Sequence, residues 1–350
     1  FKAAAARWKL PTENLIYADV DGNIGWVAAG LMPVRSWTGM LPVPGDGRFE
    51  WRGFLPFEEL PVSFNPPSGI IATANHNILP PDYTKPLSYE WAEPSRFKRI
   101  MEVLQSRKGW TRQDFEKLQH DELSLPAREL VPLLLAAGER AGARGPGWDH
   151  MKRWDFLMRK DGVAPLLFAA FVDSLSARSL ATAVGPHAAA LRQAGVGSLD
   201  LPVLMRFVKE PGRDSLLVGA FDAAVAGLRA RLGGEMSQWR WGTVHTAPFR
   251  HPLAKAFDLP DATRAGHWST VGMTAGANLR QTHGASFREI LDFADWDNSV
   301  GTSVPGQSGQ PGSPFYGNLL PLWERGEYFP LVYSRAAVEK HTAHVLILRP

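Results

Sequence analysis

The sequence predicts an α+β protein with sheet-rich ends and a helical insertion between them. Residues 15–32 contain two β-branched and aromatic runs separated by Asp19–Asn23, and the chemistry of those five residues favours a tight turn in a β-hairpin. Apolar residues then recur at helical spacing over much of the middle of the chain. We therefore divide a single structural unit into a sheet with a long loop (1–93), a mainly helical part (94–240), and loops with a terminal strand (241–350).

The composition excludes several classes of protein. The 350 residues are 45% hydrophobic and 21% charged with a formal net charge of +3, so neither overall disorder nor polyanion binding through bulk charge is expected. The chain has no cysteine, which removes disulfides, thiolate metal sites and thiol redox chemistry. Its longest apolar runs, such as Leu130–Ala137 and Val163–Val172, are shorter than the roughly 20 residues of a membrane-spanning helix. The opening Phe1-Lys2-Ala3 has no initiator Met or signal-peptide pattern, so we expect a processed product or a fragment.

Between the hairpin and the helical part, the sequence predicts a long loop and one short strand. Residues 33–68 are crowded with Pro, Gly and Trp, which prevents long helices or ladders and favours an ordered loop. Residues 69–74 (GIIATA) have the pattern of a short buried strand that ends at Asn75.

The helical part contains recognisable helix starts. A helix is expected after Pro94, and a second one after Thr111, an N-cap candidate with Asp114 three residues later. Further helices are predicted over residues 123–137, 148–158, 163–180 and 216–232. The aliphatic run 344–348 at the other end predicts a terminal strand paired into the sheet.

Common catalytic and nucleotide-binding motifs are missing from the sequence. It has no Walker loop, no dinucleotide-binding glycine fingerprint and no His-Glu-x-x-His. The nearest approach to a Gly-x-Ser-x-Gly elbow surrounds Ser308, which lies in a Gly- and Pro-rich loop rather than a strand-to-helix turn. A Ser-His-Asp hydrolase that uses Ser308 is therefore a weak alternative.

Two clusters could in principle hold a metal ion, but both have a simpler explanation. His245 and His251 lie six residues apart around Pro248, a spacing that matches no ordinary helical pair of ligands. Hydrogen-bonded structural histidines are the simpler interpretation.

Asp292, Asp295 and Asp297 beside Trp296 could be a catalytic pair or a cation site. Such spacings are common on solvated surfaces, which is the simpler interpretation of these three residues.

Asn75 and Arg96 are the candidate catalytic residues. A side-chain amide at the end of a strand can donate an N–H to a developing oxyanion, and Arg96 could reach back from the next helix to orient it. The alternatives are an asparagine that satisfies turn backbone groups and an exposed arginine at a helix start.

Several strings, read in order, strongly resemble the β-chain of the penicillin acylase family. The first group comprises residues 14–26, 41–45, 51–57 and 65–75. The second group comprises residues 241–243, 283–288, 306–313 and 323–331. The similarity covers nearly the whole chain and identifies it as the C-terminal larger part of such a β-chain, with the helical middle the least distinctive.

The resemblance implies an N-terminal nucleophile hydrolase with a four-layer αββα body, here partial, made from a self-cleaving precursor. The family's serine at the new β N-terminus attacks an amide carbonyl while its own α-amino group accepts the proton. Asn75 falls on the family's oxyanion-stabilising asparagine, and Arg96 on the arginine that orients it. The resemblance thus predicts hydrolysis of a linear amide that bears an apolar acyl group.

The family also implies parts that lie outside this sequence. Phe1 does not match the nucleophile, so we expect the upstream part of the β-chain and the α-chain of the same precursor as partners, and a periplasmic location. No cofactor is needed for the chemistry. A structural calcium ion is allowed, although residues 84–87 (TKPL) lack the carboxylate that the family implies before Arg96. In a separate departure, residues 265–268 (AGHW) replace the family's Gly-Asp-Gly-like loop.

Two alternatives remain open at this point. The fragment could be an acylase-like binding or structural module without activity. Within the enzyme interpretation, β-lactam side-chain amides and N-acyl homoserine lactones are both compatible substrates, and no nucleic acid or membrane partner is expected.

Overall fold

The computed structural model describes residues 1–197 and 199–349, which divide into two compact units. The first unit is Phe1–Ser106, and the second begins at Arg107. The boundary between the units lies just after the helix that begins after Pro94, so this helix belongs to the first unit, with the N-terminal sheet and loop. A single structural unit for the whole chain stays a prediction.

The first unit contains a three-stranded antiparallel sheet, order β1-β2-β3. Its elements are α1 (Lys2–Ala5), β1 (Glu13–Ala18), β2 (Ile24–Ala29), β3 (Val62–Phe64) and α2 (Ser95–Leu104). The predicted hairpin is confirmed, with Ile16 opposite Trp26. Its turn is organised by the Asp19 carboxylate, which accepts hydrogen bonds from the backbone N–H groups of Asp21 (3.0 Å) and Asn23 (2.9 Å).

The predicted loop 33–68 is largely irregular, but the structure adds a 3₁₀ turn (Phe57–Glu59) and strand β3 within it. The predicted strand at 69–74 is wrong: residues 70–73 have no regular secondary structure, and a bend follows at 74–76. An extended segment becomes a strand only where a neighbour supplies ladder hydrogen bonds, and no strand in the described part of the chain pairs with it.

The second unit has a helical half and a loop-rich half. Its helices are α3 (Arg112–Gln119), α4 (Leu125–Arg140), α5 (Pro146–Lys152), α6 (Val163–Val184), α7 (Ala188–Gln193), α8 (Leu201–Val208), α9 (Asp214–Leu232), α10 (Trp241–Val244), α11 (Leu320–Arg325) and α12 (Arg335–His341). The predicted capping box is present, because Thr111 and Asp114 each accept the other's backbone N–H. The helix predicted over 148–158 ends earlier, at Lys152, and α7 and α8 were not predicted.

The core of the second unit forms around α6 and α9. Phe168, Phe171 and Phe221 are fully buried, and Phe221 makes edge-to-face contacts with Phe171 (ring centroids 5.9 Å apart) and Trp148 (4.7 Å). Helix α4 packs closely against α5, because a Cβ at Gly138 would lie 2.3 Å from the Trp148 ring. The stretch Val163–Gln193 is long and apolar enough to cross a membrane, but 72% of its most apolar window is buried, as in a core helix.

Short antiparallel pairs fill the rest of the second unit. The strands are β4 (Thr246–Phe249), β5 (Leu259–Thr263), β6 (Thr274–Ala275), β7 (His283–Gly284), β8 (Arg288–Ile290), β9 (Val300–Thr302) and β10 (Phe329–Pro330). The predicted terminal strand at 344–348 is wrong: this segment is irregular, and Val345, Leu346 and Leu348 are 77%, 84% and 83% exposed. Apolar and β-branched residues favour a strand, but no described strand lies beside this segment to pair with it.

Candidate active site

Asn75 lies at the bend that follows the irregular segment 70–73. Its backbone φ is +61°, in the left-handed region that asparagine tolerates better than most residues. Its carbonyl oxygen accepts a hydrogen bond from the N–H of Ala92 at 2.8 Å. The bend is thus tied to the residues just before α2, and the Asn75 side chain remains exposed.

Arg96 is the second residue of α2, where a cation is electrostatically unfavourable because the first turn of a helix carries partial positive charge. The carboxylate of Glu93 places an acidic group at this helix start. It accepts hydrogen bonds from the backbone N–H (2.8 Å) and the hydroxyl (2.5 Å) of Ser95. Burial raises the pKa of Glu93, although the bonds from Ser95 oppose this. Burial lowers the pKa of Arg96, and the charge of Glu93 opposes that shift.

The structure brings the two predicted site residues together. Arg96 Nη2 donates a hydrogen bond to Asn75 Oδ1 at 2.9 Å. An arginine can only donate, so this contact assigns the oxygen of the amide to Arg96 and turns Nδ2 the other way. Nδ2 has no hydrogen-bond partner among the described residues, and therefore two N–H donors are available to a ligand.

A second contact supports the same arrangement. His76, next to Asn75, stacks on Phe97, next to Arg96, with ring centroids 3.7 Å apart and planes at 13°. His76 Nδ1 is buried without a partner among the described residues. Burial, followed by the charge of Arg96, lowers the pKa of His76, so this ring is held neutral. Two successive loop residues thus contact two successive helix residues.

A small apolar cavity lies beside this contact. Its volume is about 230 Å³, and its lining includes Trp26, Ile70, His76, Phe97 and Met101. Sequence analysis did not identify His76, Phe97 or the cavity. The available signal was weak, namely an apolar face on α2 and an aromatic next to each candidate residue.

The two histidines considered as metal ligands have structural roles. His245 is buried, stacks on Trp241 with centroids 4.1 Å apart, and its Nδ1 lies 2.7 Å from the carbonyl oxygen of Leu279. Burial lowers the pKa of His245 to about 4. His251 Nδ1 instead accepts the backbone N–H of Leu253 at 3.2 Å.

The three aspartates near Trp296 act as backbone acceptors. Asp292 accepts the N–H of Ala294 (3.0 Å), and Asp297 accepts the N–H groups of Tyr333 (2.7 Å) and Ser334 (2.8 Å). The Asp292 bond fixes a local turn, the Asp297 bonds tie this turn to the start of α12, and together they give the cluster a structural explanation.

Ser308 also has a local role. Its hydroxyl accepts the N–H of Gln310 at 3.1 Å, and no histidine contacts it in the described part of the chain. The weak Ser308 triad hypothesis gains no support.

No group of three or more His, Cys, Asp or Glu side chains in the described residues is arranged to hold a metal ion.

A solved acylase structure is similar to this chain over nearly its full length. The thermostable penicillin G acylase from Alcaligenes faecalis superposes with a TM-score of 0.66 over 99% of this chain and 69% of that chain, at 20% sequence identity. Together with the family model reported below, this match confirms the predicted fold class, that of the N-terminal nucleophile hydrolases.

Two groups of curated relatives are similar in sequence. The penicillin acylase 2 proenzyme of Pseudomonas sp. (strain SE83) is 31% identical over 98% of this chain and 47% of its own length. The acyl-homoserine lactone acylase QuiP of Pseudomonas fluorescens (strain Pf0-1) is 26% identical over 91% of this chain and 43% of its own length. The chain thus spans less than half the length of these two relatives.

The family model described as penicillin amidase matches residues 1–340. The chain belongs to the penicillin amidase family, which confirms the resemblance drawn from its sequence.

Proposed function

We propose that the protein from which this chain comes is an amidohydrolase that cleaves a linear amide bearing an apolar acyl group. Membership of the penicillin amidase family supports the reaction class. The observation that carries the proposal is the Asn75–Arg96 hydrogen bond, which leaves both N–H groups of Asn75 Nδ2 free to meet a developing oxyanion.

The proposed reaction runs through an acyl-enzyme. A serine at a new N-terminus, contributed from outside this sequence, attacks the amide carbonyl, and its α-amino group accepts the hydroxyl proton. The carbonyl oxygen becomes an oxyanion that accepts a hydrogen bond from Asn75 Nδ2. The intermediate collapses, the amine leaves with a proton from the same α-amino group, and water then hydrolyses the ester.

Arg96 acts on this reaction through Asn75. Because its guanidinium holds Oδ1, the carboxamide cannot rotate to present oxygen to the oxyanion, which would be repulsive. The donor is therefore oriented before the substrate binds, and little reorganisation is needed at the transition state. Arg96 is a positioning residue in this scheme.

The proposal includes partners and a location. We expect the upstream part of the β-chain and the α-chain of one precursor to complete the site, in line with the name proenzyme given to one relative. A periplasmic location and a structural calcium ion held mainly by those other parts are further proposals.

Two substrate classes compete within this proposal. Relatives are named as penicillin acylases and as acyl-homoserine lactone acylases. Assaying the parent protein with β-lactam side-chain amides and with N-acyl homoserine lactones separates them by kcat/KM.

The decisive experiment replaces Asn75 in the full-length parent protein. We expect Asn75→Ala to lower kcat by about 100- to 1000-fold, as for loss of one oxyanion donor, with self-cleavage intact. Asn77→Ala is the matched control, because Asn77 is also exposed and its Oδ1 only accepts the N–H of Leu79 (3.0 Å). Normal amide hydrolysis by processed Asn75→Ala protein would reject the assignment.

A further inference from the structure

Two buried guanidinium groups in the second unit lack an acidic partner. Arg264 and Arg288 are only 6% and 7% exposed. Within the described part of the chain, no carboxylate oxygen lies within the 4.0 Å of a salt bridge from either group. Removing a charge from water without a close counter-charge is costly, and the nearest carboxylates, those of Glu122 and Glu324, act on Arg264 only from beyond salt-bridge distance.

The hydrogen bonds of Arg264 go only to neutral groups. Nη1 donates to the carbonyl oxygens of Trp323 and Glu324, and Nη2 lies 3.4 Å from Nδ1 of His120. Nε has no partner among the described residues. The guanidinium also lies over the Trp323 ring, 4.5 Å from its centroid. These contacts hold the side chain in place but do not neutralise it.

His120 is neutral in this network. Its Nδ1 faces a guanidinium that can only donate, so Nδ1 is the acceptor and Nε2 carries the hydrogen. Nε2 lies 3.2 Å from the hydroxyl of Tyr328, which in turn donates to Gln119 Oε1 at 2.7 Å. Burial, followed by the charges of Arg288 and Arg264, lowers the pKa of His120 to about 3. The imidazole therefore neither adds a charge nor removes one.

Arg264 and His120 line a cavity of about 740 Å³, within the size range of small-molecule sites. Several of the other charged side chains around it have ion-pair partners: Arg159 with Asp155, Arg325 with Glu327, and Glu116 with Arg112. Glu324 is hydrogen-bonded to the neutral Thr263 and keeps its charge. Lys117, Lys160, Glu122 and Asp161 also line the cavity and have no ion pair within the described residues.

We propose that this cavity binds a small hydrophilic oxyanion of the phosphate or carboxylate type. Arg264 supplies a fixed charge at the wall, and Lys117 and Lys160 supply two mobile ammonium groups. Guanidinium and ammonium N–H groups form their strongest hydrogen bonds with oxyanions. The lining is dominated by charged side chains, which favours a small polar ligand over an apolar acyl chain.

Glu122 links binding to pH. Burial raises its pKa to about 7, with Arg159 and Arg264 opposing the shift and Asp121 and Asp161 adding to it. Below this pH the carboxyl is neutral and can donate to an oxyanion, whereas above it the carboxylate repels one. Affinity for acetate, whose own charge is constant in this range, should therefore rise as the pH falls from 8 to 6, whereas phosphate also changes its own charge.

Titration calorimetry of the full-length parent protein tests the site, with inorganic phosphate in one arm and acetate in the other, at constant ionic strength set by chloride. We expect saturable binding of one anion per chain, and the tighter arm identifies the ligand source. Lys117→Ala with Lys160→Ala should weaken binding about 10-fold, as for loss of charge-assisted hydrogen bonds. Lys340→Ala removes an exposed lysine away from the cavity lining and should change nothing.

Glu122→Gln supplies a gain-of-binding variant that removes no packing. It should tighten binding about threefold or more at pH 8 and leave binding at pH 6 nearly unchanged, since it mimics the protonated acid. Absence of saturable binding by both anions overturns the proposal. Saturable binding that ignores both the lysine and the Glu122 variants also overturns it. Amide hydrolysis, measured separately, reports on Asn75 and not on this site.

Discussion

The two units of the chain differ in what holds their backbones in place. In the second unit, α6 and α9 satisfy their own hydrogen bonds and bury apolar side chains such as Phe168 and Phe221. In the first unit, the segment that leads to Asn75 has no ladder, and a few specific contacts fix it: the Ala92 N–H, the Arg96 guanidinium and the His76–Phe97 stack.

This difference separates the residues that determine stability from those that determine activity. A helical core is over-determined by many weak contacts, so its shape survives most single changes on its surface. The Asn75 bend depends on few contacts, each of which sets the direction of one functional group. Substitutions in the second unit should therefore change stability, and substitutions around Asn75 should change activity.

Truncating the core of the second unit should lower its stability strongly. Phe221→Ala removes a fully buried ring from the core of the second unit and should cost about 3–5 kcal/mol of unfolding free energy. Denaturant unfolding of the parent protein measures it. Phe287→Ala is the matched control, because Phe287 is 54% exposed in the same unit. Equal losses for the two variants would contradict the core described above.

The next effect is on activity. Arg96→Gln removes the guanidinium that holds Asn75 Oδ1, and the loss of a hydrogen bond from a charged donor, worth about 1.5–3 kcal/mol, corresponds to a fall in kcat of about 10- to 100-fold. KM should change little, because the contact orients a group that acts in the transition state.

Arg96→Lys should recover part of the activity of Arg96→Gln, since an ammonium can still donate to the amide oxygen. Arg99→Lys, on the same helix, is the control. A loss confined to KM, or no rescue by lysine, would argue against orientation of Asn75 by this residue.

Helices were easier to predict from the sequence than the site was. The apolar spacing over 163–180 and the Thr111 cap are local signals, and a helix forms its hydrogen bonds within one segment. The predicted strands at 69–74 and 344–348 failed because a strand depends on a partner that local sequence does not specify. Asn75 and Arg96 were identified through the family resemblance. The His76–Phe97 stack was missed because nothing in the order of residues indicates that these rings meet.

Acid should destabilise the second unit through its buried histidines. Burial lowers the pKa values of His120 and His267 to about 3, and that of His245 to about 4. The unfolded chain binds protons near the ordinary pKa of about 6.5, so stability is full above that pH and falls progressively below it.

Denaturant unfolding at pH 7, 6, 5 and 4 measures this dependence. His245→Gln, which removes one of the groups that must protonate, should flatten the curve, whereas His344→Gln at an exposed position should not. Parallel pH dependence for wild type and His245→Gln would contradict the assignment.

A smaller loss of stability is expected when the capping box at the start of α3 is broken, and this box is one of the local signals that predicted a helix. Thr111 accepts the N–H of Asp114, and Asp114 accepts the N–H of Thr111. Thr111→Ala breaks this reciprocal cap and should cost about 1 kcal/mol, while Thr111→Ser keeps a hydroxyl and should cost much less. Denaturant unfolding compares the two. Because the cap needs only residues 111–114, its energy should be similar in a peptide of residues 109–120, as judged by helicity. A cap that matters in the protein but not in the peptide would show that α3, too, depends on the packing around it.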